Sequence, residues 1–197
     1  MIGPDLTDQQ LVARVQKGDK KAFDLLVLKY QHKIMSLISR YLRNSDEVQD
    51  VAQEAFIKAY RALPNFRGDS AFYTWMYRIA INTAKNYLVA RQRRPPTVDV
   101  DIDDAEHFEG DFDLKDIENP ENILFGGELK AVVESAIQAL PDELRTAVSL
   151  REFDGLSYED IAIAMDCPVG TVRSRIFRAR EAIDKQVKAQ MNGEPVA

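Results

Sequence analysis

The segment from Ser70 to Leu88 reads SAFYTWMYRIAINTAKNYL and combines aromatic, cationic and amide side chains at helical spacing. Unpaired nucleobases stack on aromatic rings for roughly 1–3 kcal/mol each. Arginine and lysine supply charge for phosphates, and asparagine offers a donor and an acceptor to a base edge. Because a narrow helix in a small bundle is not expected to bury rings on every side, the segment predicts a helix that holds single-stranded nucleic acid. The residues concerned are Phe72, Tyr73, Trp75, Tyr77, Arg78, Asn82 and Lys85.

A second chemically suggestive pattern lies in a basic helix expected from about Val169 to Val187. Its core stripe consists of Val172, Ile176, Ala179 and Ile183. On another face, arginine can read guanine, serine accepts either polarity, phenylalanine can contact a thymine methyl, and the helix N-terminus can hold a phosphate. This face contains Gly170, Thr171, Arg173, Ser174, Phe177, Arg178 and Glu181, whereas we expect Arg175 and Arg180 to contact phosphate or solvent. The alternative is a helical subdomain with a solvated basic face.

Enzyme chemistry is not indicated. The sequence has no nucleophile elbow and no phosphate-cradling glycine loop. Its single cysteine, Cys167, and two histidines make a structural zinc site very unfavourable. Asp50 and Glu54 lie one helical turn apart, but they share their ridge with Lys58 and Arg61, which argues against a divalent ion. We therefore expect no catalytic activity, no metal and no cofactor.

Charge is distributed unevenly along the 197 residues, although the net charge is −6. Residues 1–98 hold 16 basic and 9 acidic residues, residues 99–128 hold 1 and 12, and residues 173–188 hold 6 and 2. The net charge therefore does not reveal two basic segments suited to binding a polyanion, because the acidic residues at 99–128 offset them in the sum. The unpaired cysteine, together with the lack of a signal-peptide or transmembrane pattern, predicts a cytoplasmic protein.

The remaining elements are predicted to be helical, so the fold class is all-α, with two small helical domains. TDQQ at 7–10 is a capping box that opens the first helix, and Gly18 closes it. The next helices are expected at Lys20–Leu42 and Asp46–Leu63, with Ser45 as an N-cap, and Ser70 is expected to cap the fourth. The predicted division is residues 1–94, an acidic flexible linker at 95–127, residues 128–191, and a tail at 192–197.

The helix at 46–63 has a distinctive distribution of side chains. Val51, Ala52, Ala55, Ala59 and Ala62 form the expected core stripe. Gln49, Gln53, Phe56 and Tyr60 form a mixed, half-apolar face. Its spacing alone leaves two alternatives open, a partner helix or an ordinary solvated helix with a Glu54–Lys58 pair.

Residues 141–183 carry a helix-turn-helix pattern. Pro141 suits a helix start, Gly155 follows the first helix, and Ser157 is expected to cap the second, with Asp160 three residues later. DCPVG then forms the turn before the basic helix. Two short helices followed by a longer basic helix are typical of a domain that reads duplex DNA.

Three stretches together resemble one known family. DVAQEAFIKAYRAL, FRGDSAFYTWMYRIAINTAKNYL and LSYEDIAIAMDCPVGTVRSRIFRAREAI resemble bacterial extracytoplasmic-function sigma factors of the sigma-E type. The likeness covers most of residues 6–188 and preserves the order of the motifs. It implies a subunit without chemistry of its own that directs core RNA polymerase to stress-response promoters.

The resemblance also implies partners and contacts. The first domain would bind the β′ clamp helices and the melted −10 strand, with a flipped base between the 66–70 loop and the Asn82 face. The second would bind the β flap and the −35 duplex. The implied −10 contacts are Phe66, Arg67, Ser70, Phe72, Tyr73, Trp75, Arg78, Asn82 and Lys85. The implied −35 contacts are Arg151, Tyr158, Thr171, Arg173, Ser174, Phe177 and Arg178. The implied polymerase contacts are Asp50, Gln53, Glu54, Phe56 and Tyr60.

Regulation follows from the same resemblance. Members are usually restrained by an anti-sigma factor, often anchored in the membrane, and the free chain is expected to be a monomer. The linker would run from the active-site cleft of the polymerase to the RNA exit channel. The rival interpretation is a helix-turn-helix activator or repressor that is no polymerase subunit. It explains 141–183 but assigns no role to the aromatic helix.

Overall fold

The computed structural model describes residues 6–93, which we call the N-terminal unit, and residues 131–191, which we call the C-terminal unit. The N-terminal unit contains α1 (Asp8–Gln16), α2 (Lys20–Ser39), α3 (Ser45–Ala62), a 3-10 turn (Leu63–Asn65) and α4 (Phe72–Arg93). The C-terminal unit contains α5 (131–138), α6 (Asp142–Glu152), α7 (Tyr158–Met165) and α8 (Val169–Met191). No strand occurs in these two ranges, and the all-α prediction is confirmed. The predicted linker and tail lie outside the described residues.

The start of α1 is the predicted capping box. The backbone N–H of Gln10 donates to Thr7 Oγ1 at 3.3 Å, and the backbone N–H of Thr7 donates to Gln10 Oε1 at 2.9 Å. Two amides that a helix start leaves without partners are thereby satisfied. Gly18 follows the helix with a backbone φ of +94°, a conformation that residues with a Cβ atom rarely adopt.

The cap of α3 differs from the prediction. Asn44 rather than Ser45 is the N-cap, and its Oδ1 accepts from the N–H groups of Asp46 at 2.9 Å and Glu47 at 3.1 Å. Both residues were acceptable candidates by type, and the extended backbone at Asn44 decides between them. The helix ends at Ala62, and the chain continues through the 3-10 turn. Pro64 has no backbone N–H, and the first positions of a helical turn do not require one.

Helices α2, α3 and α4 enclose the core of the N-terminal unit, and α1 packs on α2. The predicted stripe of α3 is buried at Val51, Ala52, Ala55 and Ala59, whereas Ala62 is exposed. From α2 the core receives Leu26, Ile34, Leu37 and Ile38, all fully buried. Helix α4 begins at Phe72, two residues beyond the predicted cap Ser70. The segment from residue 66 to residue 71 is therefore a loop between the 3-10 turn and α4.

The C-terminal unit has the predicted helix-turn-helix geometry. Ser157 caps α7, because its Oγ accepts from the N–H of Asp160 at 3.0 Å and donates to the carboxylate of Asp160 at 2.7 Å. Gly155 has φ +66° in the turn after α6. The core includes Leu140, Val148 and Ala179, with Leu144 and Ile183 packed against it. Val172 and Ile176 are also buried, so the predicted stripe of α8 is confirmed.

Within residues 6–93 and 131–191, every helix is too short or too polar to serve as a membrane span.

Replacing the observed cap is expected to destabilise the N-terminal unit. Asn44→Ala leaves the N–H groups of Asp46 and Glu47 without their acceptor and should lower the free energy of unfolding by about 1 kcal/mol. Urea unfolding followed through Trp75, the only tryptophan of the chain, measures this unit. Ser45→Ala is the matched control and should change the stability by less than about 0.5 kcal/mol. The reverse order would contradict the assignment of Asn44 as the cap.

Candidate nucleic-acid interface

The loop at 66–71 is attached to α4 through aromatic packing. The ring of Phe66 lies 4.8 Å from that of Trp75 and 6.4 Å from that of Phe72, measured between centroids. Trp75 and Phe72 pack on each other at 5.8 Å, and Phe72 meets Tyr30 of α2 at 5.6 Å. Clusters of this kind contribute packing energy beyond the area that they bury. The start of the loop is thus joined directly to α4 and, through Phe72, to α2.

The expectation that α4 cannot bury its rings on several sides is wrong. The exposed fraction is 4% for Phe72, 8% for Trp75 and 2% for Tyr77. Tyr73 is half-exposed, and its ring lies 6.3 Å from that of Tyr77. The bundle achieves this burial because α2, α3 and the loop surround the first turns of α4 on different sides. In this structure, Trp75 and Phe72 pack beneath the loop, and neither ring has a face exposed enough for a base to stack on it.

The polar residues predicted for the same site are accessible. Arg67 and Asn82 are exposed, whereas Ser70, Arg78 and Lys85 are half-buried. On α4, positions 75, 78, 82 and 85 share one face by helical spacing. Since Trp75 at the start of that face contacts Phe66, the loop and the polar face adjoin. The resulting surface, which we call the strand surface, consists of Arg67, Ser70, Arg78, Asn82 and Lys85.

Behind this surface, Tyr30 is anchored to α1. Its hydroxyl donates to the carboxylate of Asp8, which Lys29 also contacts at 2.7 Å. Burial and this carboxylate raise the pKa of Tyr30 well above its ordinary value. The phenol therefore remains a neutral donor at physiological pH, and α1 is held against the aromatic cluster.

The mixed face predicted on α3 needs one correction. Phe56 is buried, with 8% exposed, so most of its ring belongs to the core and not to the exposed face. Asp50, Gln53 and Glu54 are exposed, and Tyr60 is 38% exposed while its ring packs on Phe23 at 4.9 Å. At about 100° per residue, position 56 lies beside the core stripe and position 57 lies on nearly the opposite side of α3, so spacing alone already places Phe56 nearer the core than Ile57.

Sequence reasoning overlooked three exposed apolar residues of the N-terminal unit, on α2 and α3. Ile57 on α3 is 44% exposed, and Leu25 and Leu28 on α2 are 45% and 62% exposed. The available signal was a large aliphatic side chain placed off the core stripe of an amphipathic helix. Exposed apolar groups beside charged ones are typical of surfaces that bind a partner.

In the C-terminal unit, a stack of three side chains joins the ends of the helix-turn-helix. The guanidinium of Arg151 lies 4.9 Å from the ring centroid of Tyr158, and that of Arg173 lies 5.8 Å from it. Arg151 also donates to the backbone carbonyl of Leu156 at 2.8 Å. Cation–π attraction therefore links α6, α7 and α8 at the N-terminal end of α8.

The predicted reading face of α8 is open. Arg173, Ser174 and Arg178 are exposed, Phe177 is 67% exposed, and Thr171 is half-buried. The hydroxyl of Ser174 donates to the carbonyl of Thr171 at 2.9 Å, which leaves the oxygen of Ser174 able to accept. A bare phenylalanine between arginines is an apolar contact suited to a thymine methyl.

Arg175 differs from the prediction that it contacts phosphate or solvent, because its side chain is only 18% exposed, whereas Arg180 is exposed and agrees with the solvent part of that prediction. Arg175 pairs with Glu143 and also donates to the sulfur of Cys167 at 3.3 Å. Arg180 donates to Glu152 through Nε at 3.1 Å, and this bond raises the pKa of its guanidinium above the ordinary value. Both arginines therefore tie α8 to α6.

Within residues 6–93 and 131–191, no group of three or more histidine, cysteine or carboxylate side chains is arranged to hold an ion. The chemistry of both faces is that of recognition, through charge, amide and apolar contacts.

Comparisons with known proteins agree with this geometry. Residues 26–94 match the family description Sigma-70 region 2, and residues 130–183 match Sigma-70, region 4. The chain is 72% identical over 181 residues to RNA polymerase sigma-H factor of Pseudomonas aeruginosa, covering 92% of this chain and 94% of that protein. It is 68% identical over 187 residues to ECF RNA polymerase sigma-E factor of Escherichia coli K12, covering 95% and 97%.

A solved structure shares the fold at lower identity. CnrH, in complex with the cytosolic domain of CnrY, aligns with a TM-score of 0.66 and 24% identity over 92% of this chain and 97% of that chain.

The burial of Trp75 generates a stability prediction. Trp75→Ala removes a large ring from a packed cluster and should lower the free energy of unfolding by about 3–5 kcal/mol. Denaturation followed by far-ultraviolet circular dichroism measures this loss without the indole. Leu28→Ala, at a 62% exposed position of the same unit, is the control and should cost less than about 1 kcal/mol. Equal costs would mean that Trp75 is free to stack on bases.

Proposed function

The chain belongs to the sigma-70 family, as an RNA polymerase sigma factor of the extracytoplasmic-function type, and from this premise we propose how its two units recognise a promoter. It directs core polymerase to stress-response promoters. Sigma factors bind DNA and initiate transcription without bond-making chemistry of their own. The carrying observation is the pair of open polar faces, the strand surface and the exposed face of α8, one in each unit. A plain helix-turn-helix regulator accounts for only the second face.

The strand surface captures the melted −10 strand. The amide of Asn82 pairs with the edge of a flipped base, since it has both a donor and an acceptor. Arg67, Arg78 and Lys85 lie along the same surface and neutralise phosphates. Trp75 and Phe72 act from beneath by fixing Phe66, and half-exposed Tyr73 supplies an accessible ring.

The C-terminal unit reads the −35 duplex with α8 in the major groove. Arg173 pairs with guanine, Phe177 contacts a methyl group, and Ser174 contributes a further polar contact. Thr171, Arg151, Tyr158 and Arg178 hold the backbone or flanking bases. Because Arg173 already rests over Tyr158, its side chain is partly ordered before DNA arrives. Pre-ordering reduces the entropy lost on binding.

The polymerase contacts are assigned to the exposed part of α3. Asp50, Gln53 and Glu54 supply polar contacts to the β′ clamp helices, and Tyr60 with Ile57 supplies apolar area. The C-terminal unit contacts the β flap. We also propose an anti-sigma factor as the restraining partner, a cytoplasmic location, and the division into residues 1–94, 95–127, 128–191 and 192–197.

Reconstituted transcription tests the proposal. The chain is combined with bacterial core polymerase and a template that carries a sigma-E-type promoter, and opening is followed with permanganate. A run-off product and permanganate reactivity that require both proteins support a promoter-specificity subunit. Binding to duplex DNA without core, and no opening with it, would favour the helix-turn-helix regulator.

The role of Asn82 can be separated from polymerase binding. Asn82→Ala should make the free energy of open-complex formation less favourable by about 1–3 kcal/mol, because the base edge loses its amide partner. Permanganate footprinting measures opening, and co-elution with core measures assembly, which should not change. Asn86→Ala, one turn further from the loop and also exposed, is the matched control. Equal losses in the two variants would remove the base contact from Asn82.

Arg173 should determine part of the −35 preference. Arg173→Ala should cost about 1–3 kcal/mol at the preferred −35 sequence and little at a sequence substituted at the contacted guanine. Run-off transcription from the two templates gives the selectivity directly. Arg180→Ala is the control on the same helix, because Arg180 is paired with Glu152. Loss of selectivity in the control alone would place the reading residue elsewhere.

A further inference from the structure

The side chain of Gln16 forms a bridge from α1 to the loop that precedes α4. Its Nε2 donates to the backbone carbonyl of Leu63 at 3.2 Å and to that of Phe66 at 2.9 Å. Leu63 opens the 3-10 turn, and Phe66 is the first residue after it. One amide group therefore binds the carbonyls at both ends of the turn, the second of which belongs to the first residue of the loop. We propose that Gln16 is a positioning residue that sets the conformation in which the 66–70 loop meets the −10 strand.

Helix α1 is a firm platform for this amide. Gln16 is its last residue, and Leu11, Val12 and Val15 are buried in the unit. At the opposite end, Asp8 is held by Lys29 and Tyr30. Helix α1 precedes residues 26–94, the part of the chain that matches region 2, so that match gives α1 no role.

Phe66 is consequently fixed from two sides. Its carbonyl is held by Gln16, and its ring is held by Trp75 at 4.8 Å. Fixing both groups sets the plane of the peptide that leads into Arg67, and with it the direction in which Arg67 leaves the bundle. Gly68, at φ +77°, then turns the chain in a conformation that other residues rarely adopt. The loop is thus preorganised by contacts that never touch DNA.

The inference rests on the proposed role of the strand surface, and holoenzyme made with the full chain tests both. Gln16→Met keeps the length of the side chain but removes both donors. Its affinity for a single-stranded −10 oligonucleotide should fall about three- to tenfold, as expected for two hydrogen bonds that are partly open to solvent. Binding of the same holoenzyme to a −35 duplex should not change.

Trp75 provides a readout that a general loss of stability would not reproduce. It is the only tryptophan and lies directly under Phe66, so a displaced loop should increase acrylamide quenching of its emission in the folded free chain. Circular dichroism confirms that the variant is folded. Gln16→Glu, which also lacks a donor, should behave like the methionine variant. Gln9→Met on the exposed side of α1 is the matched control and should change neither quenching nor strand affinity.

Each outcome separates the two proposals. If wild-type holoenzyme fails to bind the −10 strand, the proposed function of the strand surface is wrong. If wild type binds and Gln16→Met binds equally well, the positioning role of Gln16 is overturned. A loss of strand affinity without a change in Trp75 quenching, or an equal loss at the −35 duplex, would also overturn it.

Discussion

The packing of Phe66 on Trp75 is the contact on which the N-terminal unit depends for recognition. It links the loop after α3 to the first turns of α4, and through Phe72 and Tyr30 it reaches α2. Burying these rings removes a large apolar area from water and leaves polar groups at the surface. The side chains exposed on the strand surface are thus mainly amides and cations, and the packed rings support them from beneath.

In the C-terminal unit, some arginines of α8 form ion pairs within the unit and others remain available to a ligand. Arg175 and Arg180 are paired with carboxylates of α6, whereas Arg173 rests on the ring of Tyr158. Exposed ion pairs contribute little stability, but they keep these two guanidinium groups turned toward α6. A helix with many cations therefore presents only some of them to a ligand. The net charge of this segment therefore overestimates the number of cations that are available to bind a ligand.

Much of the fold could be predicted from sequence because its determinants are local. The capping box at Thr7, the turns at Gly18 and Gly155, and the cap at Ser157 depend on residues within a few positions of one another. The stripe of α8 likewise follows from helical period alone. The choice of Asn44 over Ser45 could not be predicted, because both residue types cap helices and the backbone conformation at the chain reversal decides.

Sequence by itself determined the helical elements, the order of the two units, the family, and the residue types available to each face. Tertiary structure alone decided which side of α4 is covered. The periodicity of a helix states that side chains share a face, but it does not state how many faces neighbouring elements cover. The loop and α2 cover the side with Phe72 and Trp75, and Phe56, which lies at the edge of the α3 stripe, is buried with only 8% exposed. These outcomes depend on contacts between residues far apart in sequence, such as Gln16 with Phe66, which no local pattern records.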